Sequence, residues 1–161
     1  MTEILLCRAL CDLIREAIKD LALPCPGGDV AVPEVFNGFL KFPQQEVEGF
    51  PFVVVRPMAS TTDENSVSVE VAISIGAYYE LQDDGSCVDG CVDGYEESLN
   101  VCSRIRQALF DLPNCCLDDQ YILDLPIRIE VSEEQAHPYW QVDMTTKWTF
   151  RKPDVVNWSE P

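Results

Sequence analysis

The stretch that decides the fold class is Val67-Ser68-Val69-Glu70-Val71-Ala72-Ile73-Ser74-Ile75-Gly76-Ala77-Tyr78-Tyr79. Val67, Val69, Val71, Ile73, Ile75, Ala77 and Tyr79 alternate with Ser68, Glu70, Ser74 and Tyr78. Successive side chains of a strand point to opposite faces, so period two predicts a strand with one face on a core. At 13 residues the run is long for a strand, and it is expected to bend or to extend past the body of the domain. Just upstream, Phe52-Val53-Val54-Val55-Arg56 reads as a buried strand ended by Pro57. The polar segment from Ser60 to Ser66 fits the turn of a hairpin joining the two.

Further out lie two helices. Residues 3–22 carry Leu6, Leu10, Leu13, Ile14, Ala17, Ile18 and Leu21 at three- and four-residue spacings, one apolar stripe. Pro24, Pro26 and Gly27-Gly28 stop it. Asp93-Gly94-Tyr95-Glu96 has the form of a capping box. The helix it opens runs to Leu112, with Leu99, Cys102, Ile105, Leu109 and Leu112 on one stripe and Pro113 as its stop. Two more alternating runs follow, Tyr121 to Val131 and Trp140 to Arg151, joined by a turn near Glu134 to Pro138. Pro126 marks an edge strand or a bulge.

The order helix, hairpin, helix, hairpin predicts an α+β fold: a four-stranded, mostly antiparallel sheet with two helices packed on one face. Its length of 161 residues fits one domain of about 100–200 residues. Residues 1–152 are expected to form it, with 24–51 as an irregular excursion rich in Pro and Gly that has room for short strands near Val30 to Val32 and Phe36 to Phe42. Residues 153–161 form a C-terminal arm. Val155, Val156 and Trp158 would be wasted in solvent there, so the arm is expected to dock on its own domain or on a partner.

Charge excludes several functions. Twenty-eight acids against 11 bases give a net charge of −17. A phosphate backbone or an anionic membrane surface is bound by clustered Lys and Arg, which this chain lacks. No apolar run approaches the roughly 20 residues of a membrane span, and Met1-Thr2-Glu3 does not open a signal peptide.

Eight cysteines are present: Cys7, Cys11, Cys25, Cys87, Cys91, Cys102, Cys115 and Cys116. Without a secretory signal they read as reduced thiols. Cys87 and Cys91 stand in zinc-ligand range, and Cys115-Cys116 offers a second pair. Yet Cys-Val-Asp-Gly occurs twice in succession from Cys87, and duplication of a loop tip explains it without metal. His137, the single histidine, reads as a turn residue beside Pro138. No phosphate loop, dinucleotide fingerprint, serine elbow or zinc-protease motif occurs, and no enzyme activity, cofactor or metal site is predicted.

The ordered motifs have a further meaning. Phe50-Pro51-Phe52-Val53-Val54-Val55-Arg56-Pro57 comes first, then Ile75-Gly76-Ala77-Tyr78. The helix Tyr95-Glu96-Glu97-Ser98-Leu99-Asn100-Val101-Cys102-Ser103-Arg104-Ile105-Arg106-Gln107-Ala108-Leu109 follows. Leu125-Pro126-Ile127, Glu133-Glu134-Gln135, Pro138-Tyr139-Trp140 and Trp148 close the series. Over residues 50–152 the chain resembles tail terminator (tail completion) proteins of long-tailed bacteriophages and prophages of Gram-positive bacteria.

The resemblance implies an α+β structural virion protein, made in the bacterial host cytoplasm and resident in the tail or neck. It implies a hexameric ring that caps the tail tube protein, ends tail growth and presents a surface to the head–tail connector protein. DNA would pass through the lumen without specific binding, and negative walls would not hold it. Candidate lumen or ring-face residues are then Asp83, Asp84, Asp89 and Asp93. Arg104 and Arg106 are candidates for bridging to a neighbour's acids, and Trp158 for docking. The alternatives are another head–tail neck or tail tube component, a small zinc- or cysteine-dependent enzyme, and a monomeric binding module.

Overall fold

The computed structural model describes residues 2–38, 50–79, 93–131, 133–134 and 139–152, without the side chains of 93–95. Helix α1 spans Glu3–Ile18. The extended Thr2 caps it, its Oγ1 accepting the Leu5 N–H at 3.2 Å, which satisfies one of the helix's orphan donors. Leu6, Cys7, Leu10, Cys11, Ile14 and Ile18 form its buried stripe. The helix ends four residues earlier than the apolar spacing suggests, in a turn closed by Leu21 N–H to Ile18 C=O at 3.0 Å. Helix α2 spans Asp93–Phe110 and buries Val101, Cys102, Ile105 and Leu109.

Eight strands complete the described architecture. Strands β1 (Leu23–Pro24) and β2 (Val30–Ala31) form a small antiparallel clip. Its turn places Gly27 and Gly28 at φ +100° and +96°, which side chains with a Cβ rarely adopt. The remaining strands are β3 (Glu34–Asn37), β4 (Phe52–Thr62), β5 (Ser66–Tyr78), β6 (Cys116–Leu117), β7 (Tyr121–Val131) and β8 (Tyr139–Arg151). They form one six-stranded sheet in the order β3-β4-β5-β8-β7-β6. Strand β3 runs parallel to β4, and the other pairs are antiparallel.

This corrects the expected four-stranded, mostly antiparallel sheet under two helices. The molecule is mostly sheet, and the sheet is mixed. Strand β3 comes from the segment expected to be irregular. Its four residues lie between Pro33 and Gly38, too short a run to show a period, and the parallel pairing with β4 is a tertiary contact. Strand β6 is a two-residue piece between tight turns. Asn114, Cys115, Asp118 and Asp119 there take φ of 53°, 56°, 51° and 56° with no glycine to advertise them.

The core lies where the helices meet the sheet. Helix α1 touches α2, β3 and β4, and α2 touches β5 and β8. Val67, Val69, Val71, Ile73 and Ile75 of β5 and Val142, Met144, Trp148 and Phe150 of β8 join the helical stripes in one cluster. Thr146 is buried among them without an orphaned hydroxyl. It donates to the Val71 carbonyl at 3.1 Å and accepts the Trp148 indole N–H at 2.8 Å. An unpaired buried hydroxyl would cost about 1–3 kcal/mol, so this pairing keeps a polar residue compatible with the core. In β7 the in–out alternation fails at Leu125 and again at the strand's last residue, Val131. A register shift between Asp124 and Arg128, over the cis Leu125–Pro126 bond, leaves Leu125 60% exposed where it was expected inside.

A second apolar cluster, Phe36, Phe52 and Val54 with Phe50 against it, lies on the reverse face. Phe52 pairs with Gly76 across β4 and β5, and its ring lies over the glycine. A Cβ on Gly76 would stand 2.3 Å from the Phe52 ring, inside any van der Waals contact. Gly76→Ala is therefore expected to displace the ring and cost about 1–3 kcal/mol, read as a lower denaturant midpoint. The double variant Gly76→Ala with Phe52→Leu is expected to recover part of that loss, since the clash is removed with the ring.

Candidate functional site

The reverse face of the sheet is the surface with the most to offer a partner. Register sets it out in rows. Glu70, Lys147 and Asp124 stand side by side on β5, β8 and β7. The next row is Arg56, Ala72, Thr145 and Arg128, and the one after it Val54, Ser74, Asp143 and Glu130. Opposite charges side by side on neighbouring strands stabilise a sheet modestly, by about 0.2–1 kcal/mol a pair. Ser74 donates to Asp143 Oδ1 at 2.7 Å, Gln141 donates to the same oxygen at 3.2 Å, and Arg128 pairs with Glu130.

At one end of this face three separated stretches of sequence meet. Phe50 stacks on Phe52 and on Tyr139, both at 4.8 Å between ring centres, and Tyr78 lies 5.7 Å from Tyr139. At the other end the β4–β5 hairpin closes through Asp63. Its carboxylate accepts the backbone N–H groups of Asn65 and Ser66 at 2.9 and 2.8 Å and the Ser66 hydroxyl at 3.0 Å. Those bonds, the Asn65 N–H first, hold Asp63 below its ordinary pKa of 3.8.

Two open hollows flank the sheet. One, of about 350 Å³, is lined by Ile4, Cys7, Asn37, Gly38, Arg56 and Pro57. The other, of about 390 Å³, lies between the end of α1 and α2 and includes Leu21, Leu23, Asn100, Ser103 and Arg104.

The residues singled out from sequence are scattered. Asp83, Asp84, Asp89 and Trp158 lie outside the described residues, as do Cys87, Cys91 and His137. Asp93 is the first residue of α2. Arg104 pairs with Asp20 of the same chain at 3.3 Å, with half or more of each side chain exposed. Such a pair contributes little stability, and it already occupies the arginine expected to reach a neighbour. Arg106 is exposed on α2. Among the described residues the structure thus brings Arg104 to Asp20. The reverse-face cluster had a signal that sequence reading left unused: a glycine inside an alternating strand marks a close approach.

Among the described residues, no group of three or more His, Cys, Asp or Glu could hold a metal ion. Burial pushes the Cys7 thiol up to about 11, with the neighbouring Cys11 and Glu3 acting the same way. Burial also pushes Cys102 up to about 11, against the pull of Arg106, and raises Cys11. An activated nucleophile needs the opposite shift, toward thiolate at neutral pH.

Two outcomes follow from these groups. In the native protein Cys115 and Cys116, both half-buried, are expected to alkylate with iodoacetamide about a hundredfold faster than Cys7, Cys11 and Cys102, read by peptide mass mapping. Folding raises the Cys7 and Cys102 pKa above 9.0, so their contribution to stability is complete below pH 9.0 and is lost as pH rises through about 11. Folding lowers the Asp63 pKa, so its contribution is complete above pH 3.8 and is lost as pH falls through the depressed folded value. Protection of the Asn65 and Ser66 amides, taken against the intrinsic exchange rate at each pH, is expected to fall over that acid range in the wild type and to lose the pH step in Asp63→Asn.

Compared with known families the sequence matches no family model, and no curated protein matches it significantly.

Proposed function

We propose that this chain is a structural virion protein of a long-tailed phage or prophage. In this reading it forms a ring that caps the tail tube, ends tail growth and joins the tail to the head connector. The observation that carries the reading is the aromatic cluster at the end of the reverse face. Phe50-Pro51-Phe52, Gly76-Ala77-Tyr78 and Tyr139-Trp140 are three of the ordered motifs behind the resemblance to tail terminator proteins. Ring contacts of 4.8–5.7 Å and the Phe52–Gly76 pairing join them into one unit. Segments distant in sequence, Phe52 from Gly76 and Tyr78 from Tyr139, thus build one packed feature, which supports reading the motifs together.

Charge supports the same reading. The chain carries −17, so copies repel unless a contact surface is neutral or basic. Arg56, Arg128, Lys147 and Arg151 on the reverse face nearly balance Glu34, Glu70, Asp124, Glu130 and Asp143 there. A ring closed by rotation needs two different patches on each subunit, and this face supplies one of them. Arg106 on α2 is a basic group available to the second.

The test is negative-stain electron microscopy of the reduced protein, with mass by light scattering on the same sample. Rings of six with a central hole are expected, alone or after addition of tail tubes. A chain that stays monomeric and leaves tube ends uncapped would sink the reading. Lys147→Glu is expected to lower ring yield about tenfold or more, and to lower the thermal midpoint only by what two exposed cross-strand pairs are worth, about 0.2–1 kcal/mol each, because it places a third acid in the Glu70–Asp124 row.

A further inference from the structure

The two outer margins of the sheet are stepped. With β5 as the ruler, β3 covers β4 at the level of Ile73–Gly76, and Ala59–Thr62 lie beyond it at the level of Val67–Glu70. On the opposite margin β6 covers β7 near the level of Ser68, and Arg128–Val131 lie beyond it at the level of Ala72–Ile75. No described strand pairs the outer side of either stretch. Each runs four residues in register with its inner neighbour, past the bulge at Met58 on β4 and past Pro126 on β7. Backbone of this kind is a template for another strand. On β4 its outward groups can be named. The Asp63 N–H donates to the Ser66 carbonyl at 2.9 Å, which makes those two a hydrogen-bonded pair. Such pairs alternate along an antiparallel ladder, so Ser60 and Thr62 turn their N–H and C=O groups away from β5.

Apolar side chains gather at both margins. Ser60 donates to Glu3 at 2.8 Å, which ties the β4 edge to the first turn of α1. There Ile4 and Leu5 are 61% and 45% exposed, and Met58 in the bulge is 55% exposed. On β7, Ile129 and Val131 share the face of Met144 and Val142, and Val131 is 36% exposed. Neither stretch adds to the acidity of the chain. Ala59–Thr62 carry no charge, and Arg128 pairs with Glu130. In a chain of −17, such stretches meet little repulsion from another copy.

We infer that a second copy of this chain occupies each edge, Arg128–Val131 of one copy pairing antiparallel with Ala59–Thr62 of the next. Strands β4 and β7 run in opposite directions within the sheet, so copies related by rotation meet antiparallel. Matching the faces puts Arg128 and Glu130 beside Thr61 and Ala59, sets Ile129 opposite Ser60, and brings Val131 to Met58. No like charges then stand opposite each other. The steps fit as well. The two stretches lie five residues apart along β5, so the next copy is raised by about 17 Å. Its β3 and the first copy's β6 then fall above and below the paired stretch. A stagger of this kind closes when the strands tilt from the axis, as in a barrel. The inference rests on the ring reading for closure alone.

Two variants block one edge each. Thr62→Pro removes an outward N–H and no ladder bond, and Val131→Glu sets an acid against the apolar patch of an acidic copy. Thr61→Lys, which places a cation beside Arg128, is a second variant of the β4 edge. The wild type is expected to assemble, alone or on tail tubes, and each variant alone to sediment as a monomer. An equimolar mixture of Thr62→Pro and Val131→Glu is expected to give a dimer and nothing larger, since one competent edge of each kind remains. The Ser60 and Thr62 amides are expected to exchange about tenfold or more slower in the wild-type assembly than in monomeric Val131→Glu, while Val67–Ile75 keep their rate in every sample. Wild-type assembly by both β4 variants would overturn the inference and leave the ring to other contacts. A dimer of any one variant alone would overturn it by showing that like edges pair. Slow exchange at Ser60 and Thr62 in the dilute monomer would overturn it by making the same chain the cover. A wild type that stays monomeric even with tail tubes would overturn it together with the ring. A mixed dimer beside a wild type that grows open chains would support it and count against the ring.

Discussion

Thirteen consecutive residue pairs, Ser66–Tyr78 of β5 against Tyr139–Arg151 of β8, hold the rest of the structure in place. The ladder has no shift along its length, so every side chain on either strand is assigned to one face without ambiguity. A slip of one residue would turn Val69, Val71, Ile73, Met144 and Trp148 out of the core and turn Glu70 and Lys147 in. Burial of those five side chains at about 1.5–3 kcal/mol each makes such a slip prohibitive. Both helices, β4 and β7 take their positions from this central pair.

The same ladder explains why the molecule has two unlike faces. On the core side the strands meet amphipathic helices, and the polar atoms that remain, as at Thr146, are paired within the layer. On the reverse side the rows are short polar and charged residues until the aromatic end. There Gly76 gives up its side chain so that Phe52 can lie flat across β5. Aromatic cover over a strand glycine restores the packing that the glycine lacks. The cluster thereby anchors β4, and through β4 the parallel strand β3, to the middle of the sheet.

What was legible in the sequence follows from range. Strands β5 and β8 and helix α1 declare themselves because each is long enough for several periods of 2 or 3.6 residues. The bulge of β7 is foreshadowed by Pro126, since proline cannot donate to a ladder. Strand β3 is legible only as a short strand near Phe36, and it lies at Glu34–Asn37: the run is shorter than any reliable period, and its pairing with Phe52–Val55 is a contact between distant segments. Strand β6 was hidden for a different reason. Its turns use Asn, Cys and Asp in the left-handed region, where a reader looks for glycine. Those two omissions, one at each margin, turn a four-stranded reading into a six-stranded mixed sheet. Of the site, Arg104 was legible as a rare base but not its partner Asp20, because an ion pair between α2 and the turn after α1 depends on how the two segments pack. The Phe52–Gly76 contact needed the register as well as the residues.

The acidity of the chain bears on assembly through its distribution more than its total. A uniformly acidic surface of −17 would oppose every self-contact, and at physiological salt the repulsion extends about 8 Å from each charge. Sequestering four of the eleven bases on one sheet face changes that geometry. Bases and acids nearly cancel there, so this is the part of the described surface on which a contact meets least repulsion from an acidic partner. In the ring proposed above, contacts made through this face would leave the more acidic remainder of the surface to line whatever passes through.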